Sequence, residues 1–515
     1  METKTEKQNK WSGQRLQRAS VAATLFWDNI DWDRIEKSVV SLQQRIVEAI
    51  KKRRFNKSKA LRWILVRSFK AKLLAIKRVT GNKGGKTPGI DGIVWKSGFD
   101  KINAARNLIQ KGYRAKPLKR VSIPKKNGKK RPLGIPVMSD RAQQALHKLA
   151  IEPLAETLAD LNSYGFRPKR GCADAIEQCF NVFKWPSSPQ WVLEADIKAC
   201  FDNISHQWIM ENIPIPKYML AQWLKPGFIE KNKWFPTKAG TPQGGIISPI
   251  IANMVLDGME TLIRAEFPAE HKIKIIRYAD DFIITATSSE ALEERVKPLI
   301  TGFLAERGLE LSEEKTHISN IYGGFDFLGQ SVRKYGRKLL IKPSKKSISS
   351  IYQKIRQIVK ANPTMNTAEL IYKLNPIITG WANYHRHVVS KRVYTQLDNK
   401  IFRLLWNWSK RRHPNKSRKW VKKRYFKSIG TRKWVFSGTF KGTDREIRLV
   451  CFESTRIVRH VKIRAAANPH DSDWSPYFND RHERLSKRRK VLSSPDANGN
   501  SDNRVDTNIE ALQDA

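Results

Sequence analysis

The sequence contains few cysteines and lacks any long apolar run. Its 515 residues include four cysteines, with no Cys-x-x-Cys pair and no Cys/His cluster at zinc-site spacing: Cys172, Cys179, Cys200 and Cys451. We therefore expect reduced thiols in a cytoplasmic protein. Apolar runs fall short of the roughly 18 residues of a membrane span, and the polar, partly acidic start predicts neither a signal peptide nor a transit peptide.

Acidic residues are also scarce. There are 48 Asp and Glu against 97 Lys and Arg, which gives a formal net charge of +49. Such a charge repels itself and favours a polyanionic partner, for which nucleic acid is the obvious class. The chain also has 16 Trp, 12 Tyr and 21 Phe, which suit a surface that stacks bases. Composition alone leaves open a ribosomal-type protein that only coats RNA.

Two adjacent carboxylates form the most informative motif, Tyr278-Ala279-Asp280-Asp281. Short β-branched runs on both sides predict two strands, with the acids at the hairpin tip. Placing two carboxylates so close together is unfavourable unless a cation neutralises them. Polymerases use such a pair, with a third aspartate from another strand, to hold two metal ions. A polar hairpin turn without catalytic function is the alternative.

A third aspartate ends another predicted strand. Residues 191–197 alternate in polarity, which predicts a strand that delivers Asp196 to its C-terminal end. Helical periodicity covers about 27–80, and Asp140 with Gln143 predicts a helix that runs to about Pro153. After about residue 340, three amphipathic helices carry Lys and Arg on their other faces. The run 409–427 contains no acid, which favours an RNA-binding surface over a merely solvated face.

The motifs together resemble the ordered blocks of bacterial group II intron reverse transcriptases. The resemblance spans roughly residues 30–465, and it rests on Pro88–Gly92, Arg131–Pro136, Tyr164–Pro168, Asp196–Asp202, Gly240–Gly245, Tyr278–Asp281, Leu309–Thr316 and Phe325–Gly329. The segment 375–385 is similar to the maturase domain of that family, which simpler reverse transcriptases lack. A maturase binds the intron RNA that encodes it and stabilises its splicing-competent fold.

The resemblance implies an α+β right-hand polymerase with fingers, a palm containing an antiparallel sheet, and a helical thumb, plus a helical maturase domain. We predict a flexible N-terminus over residues 1–30 and a helical N-terminal extension over 31–95. Fingers and palm are expected over 96–335, thumb and maturase domain over 336–440, and a basic DNA- and RNA-binding region over 441–490. A disordered tail is expected over 491–515.

The resemblance also implies roles for single residues. Asp196 and Asp280 are expected to be catalytic and to bind two Mg²⁺ ions, with Mn²⁺ as a substitute, the carbonyl of Ile197 completing the shell and Asp281 in a supporting role. The nucleotide-binding residues are expected to be Lys125, Arg131, Phe201 and Gln243. Lys125 and Arg131 are expected to hold the triphosphate, Gln243 to line the nucleotide pocket, and the Phe201 ring to exclude a 2′ hydroxyl.

These expectations define an RNA-directed DNA polymerase that also assists splicing and supports intron mobility. Its expected partners are group II intron RNA, target DNA and deoxynucleoside triphosphates, with no membrane; the sequence gives no prediction of oligomeric state. Residues 468–474 resemble the linker to an endonuclease domain, but no cysteine pair follows, so we expect no endonuclease activity. Three alternatives remain: a splicing-only maturase, a free-standing reverse transcriptase in host defence, and an RNA-dependent RNA polymerase.

Overall fold

The N-terminal part of the chain is helical because its apolar residues recur every three or four positions. The computed structural model describes residues 21–124, 130–430 and 432–493. In the helix Trp32–Lys51, Ile35, Val39, Ile46 and Ile50 are all buried, and the side chain of Asp31 caps its first turn. The helices that follow are Phe55–Arg67, Phe69–Gly81 and Gly98–Asn107, with a 3₁₀ turn at Lys83–Lys86.

Helical structure begins earlier than the predicted boundary at residue 31. Residues 21–28 are helical, within the segment predicted to be flexible. The reason is that Trp27 is buried and its ring contacts Trp32 edge-on at 5.0 Å between centroids. Residues 1–20 of that prediction lie outside the described residues, as do residues 494–515 of the predicted disordered tail.

The central sheet contains the strands β3 (Trp191–Asp196), β6 (Lys274–Tyr278), β7 (Asp281–Ala286) and β8 (His317–Asn320). It is antiparallel, as predicted, and has the strand order β6-β7-β3-β8. Both faces are buried. Leu193 and Ile284 enter the hydrophobic cluster under the N-terminal helices, whereas Val192, Ile276 and Ile283 enter a second cluster on the opposite face. Burial on both faces explains why β6 and β7 are nearly continuous in apolar residues.

A second sheet contains the strands β1 (Leu118–Pro124) and β2 (Lys130–Ile135), which precede β3 in the chain, and β4 (Phe228–Glu230) and β5 (Lys233–Phe235), which follow it. Its strand order is β2-β1-β4-β5. The β1–β4 pair is parallel and the other two pairs are antiparallel. The helices between and after these strands are Met138–Leu158, Cys172–Phe183, Cys200–Asn203, His206–Asn212, Lys217–Leu224, Ser248–Leu256, Met259–Glu266 and Lys297–Ala305, with a π-helix at Ala291–Val296 and 3₁₀ turns at Ala269–His271 and Glu313–Lys315.

The helix predicted to run from Asp140 to Pro153 is longer, Met138–Leu158, and Pro153 lies inside it. Asp140 does not cap the helix. Its buried carboxylate accepts hydrogen bonds from the Tyr113 hydroxyl at 2.8 Å and from the Lys116 N–H at 3.0 Å. The acid therefore joins the helix to the segment before β1, a role that its local sequence does not indicate.

Between residues 325 and 448, the described chain contains four helices and two further sheets. A third sheet, β9 (Phe325–Phe327), β10 (Gln330–Tyr335) and β11 (Lys338–Pro343), leads into the helices Lys345–Ala361, Thr367–His385, Lys391–Arg412 and Arg418–Tyr425. A fourth sheet follows, β12 (Phe426–Ile429), β13 (Arg432–Thr439) and β14 (Glu446–Arg448). The predicted boundary at residue 440 divides this sheet, whose Phe426 and Phe436 share one core with the helices. We call residues 345–452 the helical unit.

After a 3₁₀ turn at Phe452–Ser454, the chain returns to the helix Cys172–Phe183 and to the N-terminal helices. We call residues 456–474 the C-terminal strap. Within it, the Ile463 N–H and His460 Nε2 contact the buried Asp174 carboxylate at 2.7 and 2.8 Å. Lys51 binds Asp471 at 3.1 Å, which joins the strap to the N-terminal helices. The strap ends with a 3₁₀ turn at Ser472–Trp474, followed by the helix Ser475–Ser493.

Candidate active site

The three predicted aspartates lie at one end of the central sheet. Asp196 ends β3 and Asp281 begins β7, and the two residues are direct cross-strand partners. The Ile197 N–H donates to the backbone carbonyl of Asp280 at 3.3 Å, which holds the two chain segments together. The structure therefore brings together residues that are about 85 positions apart in the sequence, at adjacent strand ends as expected for a polymerase palm.

A two-residue turn positions Asp280. Tyr278 and Asp281 are paired in register, so Ala279 and Asp280 form the turn between β6 and β7. Ala279 adopts a left-handed conformation, with φ of 57°, which reverses the chain direction sharply. Gly165 approaches this turn so closely that a Cβ at that position would lie 2.4 Å from the Ala279 nitrogen. Asp280 thus lies at the tip, whereas Asp281 already belongs to β7.

The carboxylates of this site repel one another. Burial, with a contribution from the Asp196 charge, raises the pKa of Asp280. Burial, followed by the charges of Asp196 and Asp280, raises the pKa of Asp281 to about 7. Lys315 Nζ lies 2.8 Å from Asp196 Oδ1 and offsets part of this negative charge. The geometry therefore favours additional positive charge at the sheet end.

The donor set suits a hard cation, although side chains alone do not complete it. Within the described ranges, no three His, Cys, Asp or Glu side chains are grouped closely enough to hold a metal ion. The oxygen donors at hand are the carboxylates of Asp196 and Asp280 and the neighbouring Ile197 carbonyl, which are of the type that Mg²⁺ prefers. Protein residues supply only part of a Mg²⁺ shell in nucleotide-processing sites, and substrate phosphates supply the rest.

The predicted nucleotide-binding residues Arg131 and Gln243 contact each other. Arg131 Nε, on β2, donates to Gln243 Oε1 at 2.8 Å, and Gln243 Nε2 donates to Asp202 Oδ2 at 3.0 Å. This chain of hydrogen bonds joins the second sheet, the Gly240–Gly245 turn and the segment after β3. The positive charge of Arg131 also acts to lower the pKa of Asp280, so the two clusters share one electrostatic environment. Lys125 lies outside the described residues.

Phe201 is held by the same turn. It belongs to the short helix Cys200–Asn203, which follows the left-handed Ala199. The Phe201 carbonyl accepts a hydrogen bond from the Thr241 N–H at 2.6 Å, and its half-buried ring meets Phe166 edge-on at 6.0 Å. Gly240 is required here because a Cβ would lie 2.4 Å from the Phe201 carbonyl oxygen.

Two residues of the site were not singled out from the sequence. Lys315 neutralises Asp196 and Asp202 orients Gln243. Both residues lie inside motifs that the family resemblance includes. Their contacts with Asp196 and Gln243 depend on the folded structure and cannot be predicted from the sequence. The available signal was their position, since Asp202 ends the motif that begins with Asp196, and Lys315 ends the acidic stretch before β8.

A second candidate surface lies in the helical unit. Residues 409–427 contain ten Lys or Arg residues and no Asp or Glu. Aromatic rings lie among them, and Lys422 Nζ lies 4.5 Å from the centre of the Trp434 ring. Exposed cations beside aromatic rings suit phosphates and unstacked bases. Among the helices that the structure describes, none has the length and apolarity needed to cross a bilayer.

Comparison with sequence families identifies the class of this protein. The family described as "Reverse transcriptase (RNA-dependent DNA polymerase)" matches residues 123–332. The "N-terminal domain of reverse transcriptase" matches residues 27–108, and the "Group II intron, maturase-specific domain" matches residues 348–426. The fold is thus that of a right-hand polymerase, and the enzyme class is RNA-directed DNA polymerase, as predicted.

Individual relatives place the chain more narrowly. Protein YkfC of Escherichia coli is 31% identical over 307 residues, which cover 50% of this chain and 80% of that protein. The group II intron-encoded protein LtrA of Lactococcus lactis is 30% identical over 328 residues, which cover 50% of this chain but only 54% of LtrA. Telomerase from Candida albicans aligns over 58% of each chain at 13% identity, with a TM-score of 0.34. The chain belongs to the family of group II intron reverse transcriptases that carry a maturase-specific domain.

Proposed function

We propose that this protein copies group II intron RNA into DNA from a 3′ hydroxyl and binds the same intron RNA to assist splicing and mobility. The observation that carries the proposal is the pairing of Asp196 with Asp281 beside Asp280, with Arg131 and Gln243 in hydrogen-bond contact nearby. Acids and a guanidinium that share one electrostatic environment match the needs of nucleotidyl transfer. We place the protein in the bacterial cytoplasm, with intron RNA, target DNA and deoxynucleoside triphosphates as partners.

The acids are proposed to hold two Mg²⁺ ions, which Mn²⁺ can replace. Asp196 and Asp280 would be shared ligands, the Ile197 carbonyl a further ligand, and Asp281 a supporting carboxylate. Bound in this way, the ions would activate the primer 3′ hydroxyl and stabilise the leaving pyrophosphate. The raised pKa values of Asp280 and Asp281 support this assignment, because both carboxylates are more stable when a cation is bound.

The remaining residues are proposed to position the nucleotide. Arg131 can contact two phosphate oxygens because its guanidinium is planar, and Gln243 fixes the orientation of that plane through the 2.8 Å hydrogen bond. Lys125 is proposed as a second phosphate ligand. Phe201 is proposed to lie under the sugar, where its ring would exclude a 2′ hydroxyl and so select deoxynucleotides.

Splicing assistance is assigned to the helical unit. The acid-free run 409–427 supplies cations to phosphates, and the RNA itself would carry out the splicing chemistry. We expect the two activities to be separable, since this run packs on one hydrophobic core and the strands that carry the aspartates pack on two others. The absence of endonuclease activity stays a prediction, and metal-dependent cleavage of target DNA by the purified protein would contradict it.

The test is extension of a DNA primer on an RNA template with Mg²⁺ and deoxynucleotides. We expect the wild type to extend the primer, Asp280→Ala to show no extension, and the exposed Asp444→Ala control to match the wild type. If neither the wild type nor Asp280→Ala extends the primer while both bind intron RNA tightly, the splicing-only alternative is correct and the polymerase proposal fails.

A further inference from the structure

One face of the second sheet carries apolar and basic side chains, several of which are exposed in the described chain. Cross-strand pairing and strand alternation place six of its residues on this face: Arg131, Ile123, Val121, Lys119, Ile229 and Trp234. Val121, Ile123 and Trp234 are exposed. The acid of the β4–β5 hairpin, Glu230, follows Ile229 directly and therefore lies on the opposite face. Uncovered apolar residues with cations and no acid indicate a binding surface for an anion with apolar parts.

Trp234 is exposed and yet fixed in position. Its side chain is 57% exposed, and its Nε1–H donates to the Pro226 carbonyl at 3.5 Å. The indole lies against Gly227, whose φ is +71°, and a Cβ on Gly227 would be 2.3 Å from Nε1. A ring held in this way loses little freedom when a flat ligand stacks on it. The local sequence thus presents a rigid aromatic platform to solvent.

The charge around the platform is positive. Lys119 is the cross-strand partner of Ile229 and shares its face, and Lys231 lies in the turn of the β4–β5 hairpin. Exposed lysines beside a stacking ring are the combination that holds the backbone and bases of single-stranded nucleic acid. The face also continues to Arg131, at the edge of the candidate active site.

We propose that this face binds the single-stranded RNA template ahead of the active site, with the Trp234 indole stacked on one template base. The proposal rests on the proposed polymerase function, because Arg131 defines where the incoming nucleotide meets the template. Three strand spacings of about 4.8 Å separate β2 from β5, or about 14 Å, and Trp234 lies level with Ile135, about 13 Å along β2 from Arg131, so Arg131 and Trp234 are about 19 Å apart. At about 3.4 Å per stacked nucleotide, Trp234 contacts the template roughly six nucleotides beyond the templating base.

The experiment uses the full chain and a DNA primer annealed to an RNA template with a single-stranded overhang. Photoreactive 4-thiouridine is placed at one overhang position at a time, and crosslinks are mapped to peptides without added nucleotide. We expect crosslinks to the peptide 228–235 to peak near roughly the sixth overhang position. Trp234→Ala should weaken binding of the overhang substrate by roughly fivefold to 100-fold, the range typical for loss of one base stack, and leave binding of a blunt duplex unchanged.

Matched variants separate stacking from general damage. Trp185→Ala removes a tryptophan that is 62% exposed on the loop after the helix Cys172–Phe183, and it should leave both substrates unaffected. Trp234→Phe should keep most of the overhang affinity, whereas Gly227→Ala should displace the indole and reproduce the alanine defect. The proposal is overturned if Trp234→Ala binds overhang as the Trp185→Ala control does, or if it weakens the blunt duplex equally.

Binding and crosslinking require no catalysis, so a failure of this proposal can be distinguished from a failure of the proposed function. A wild-type protein that crosslinks through the hairpin but does not extend a primer would refute the polymerase proposal and keep the template platform. A protein that extends primers without hairpin crosslinks would do the reverse.

Discussion

Substitution of Gly244 by alanine is expected to weaken nucleotide use by displacing Gln243. Gly244 has φ of +108°, and an added Cβ would lie 2.7 Å from the carbonyl oxygen of Gly134 and 2.9 Å from Leu133. Gly134 is held in β2 by pairing with Arg120, and its N–H already donates to the Gln243 carbonyl at 2.8 Å. Because these hydrogen bonds hold β2 in place, we expect the Gly240–Gly245 turn to move instead.

The magnitude follows from the backbone conformation. A left-handed conformation costs a residue with a Cβ about 1–2 kcal/mol relative to glycine, before the contact with the Gly134 oxygen is added. Gln243 is oriented correctly only when the turn has its native geometry. The fraction of enzyme molecules with that geometry, and therefore kcat/KM, is expected to fall about 5- to 30-fold. We expect this loss in steady-state primer extension at limiting deoxynucleotide, with the affinity for primer and template unchanged.

Gly336→Ala is the matched control. Gly336 also has a positive φ, +56°, but lies in the β10–β11 hairpin with no atom within 4 Å of an added Cβ. Its backbone cost is similar, and it is remote from Gln243. A Gly244→Ala enzyme with kcat/KM within about twofold of the Gly336→Ala enzyme would refute the reasoning, because the turn would then tolerate displacement.

The other predictions concern the nucleotide pocket and the buried charges. Arg131→Lys is expected to raise the KM for deoxynucleotides about tenfold, because an ammonium cannot hold both Gln243 and two phosphate oxygens; an unchanged KM would contradict this. Phe201→Ala is expected to increase incorporation of ribonucleotides relative to deoxynucleotides about 10- to 100-fold, and unchanged sugar discrimination would disprove the assigned role. Glu156→Ala is expected to lower the free energy of unfolding by about 3–5 kcal/mol in denaturant titrations. The reason is that the buried Arg167 guanidinium, whose Nη2 lies 2.8 Å from the Glu156 carboxylate, would lose its charged partner.

An exposed ion pair provides the control for the last of these predictions. Glu293 and Lys297 are four residues apart and lie 2.5 Å from each other, but both side chains are well exposed. Solvent screens such a pair, so Glu293→Ala should change the free energy of unfolding by less than about 0.5 kcal/mol. Equal effects from Glu156→Ala and Glu293→Ala would show that burial does not govern these interactions.

Periodicity made the strands and helices around the site predictable. The alternation of residues 191–197 and the β-branched runs beside Asp280 correspond to β3, β6 and β7, and the acids lie where the pattern indicated. The helix around Pro153 was misjudged because proline usually ends a helix, whereas here the helix continues to Leu158. The local sequence shows that Pro153 cannot donate a backbone hydrogen bond, but it does not show that Pro153 is buried in the folded protein.

The fourth sheet was missed for a related reason. Residues 426–448 are dense in Lys and Arg, so their alternation is weak, and only the contact of Phe426 and Phe436 with the helices identifies the buried side. Likewise, the hydrogen bonds that join Arg131, Gln243 and Asp202 connect three separate segments of the chain. Such contacts between distant segments cannot be predicted from the local sequence. The order of the motifs did indicate that Arg131, Gln243 and Asp202 belong to one site.

The C-terminal strap gives the helical unit a second attachment to the rest of the protein. At its entry, the Ser344 N–H donates to the Gly329 carbonyl at 3.0 Å; at its exit, the Ile463 N–H binds Asp174 at 2.7 Å. A body attached at one end can swing as a flap, but one attached at both ends can only rotate about the line joining them. We therefore expect the helical unit to hold a nearly constant distance from the aspartates, because the chain fixes it from two sides.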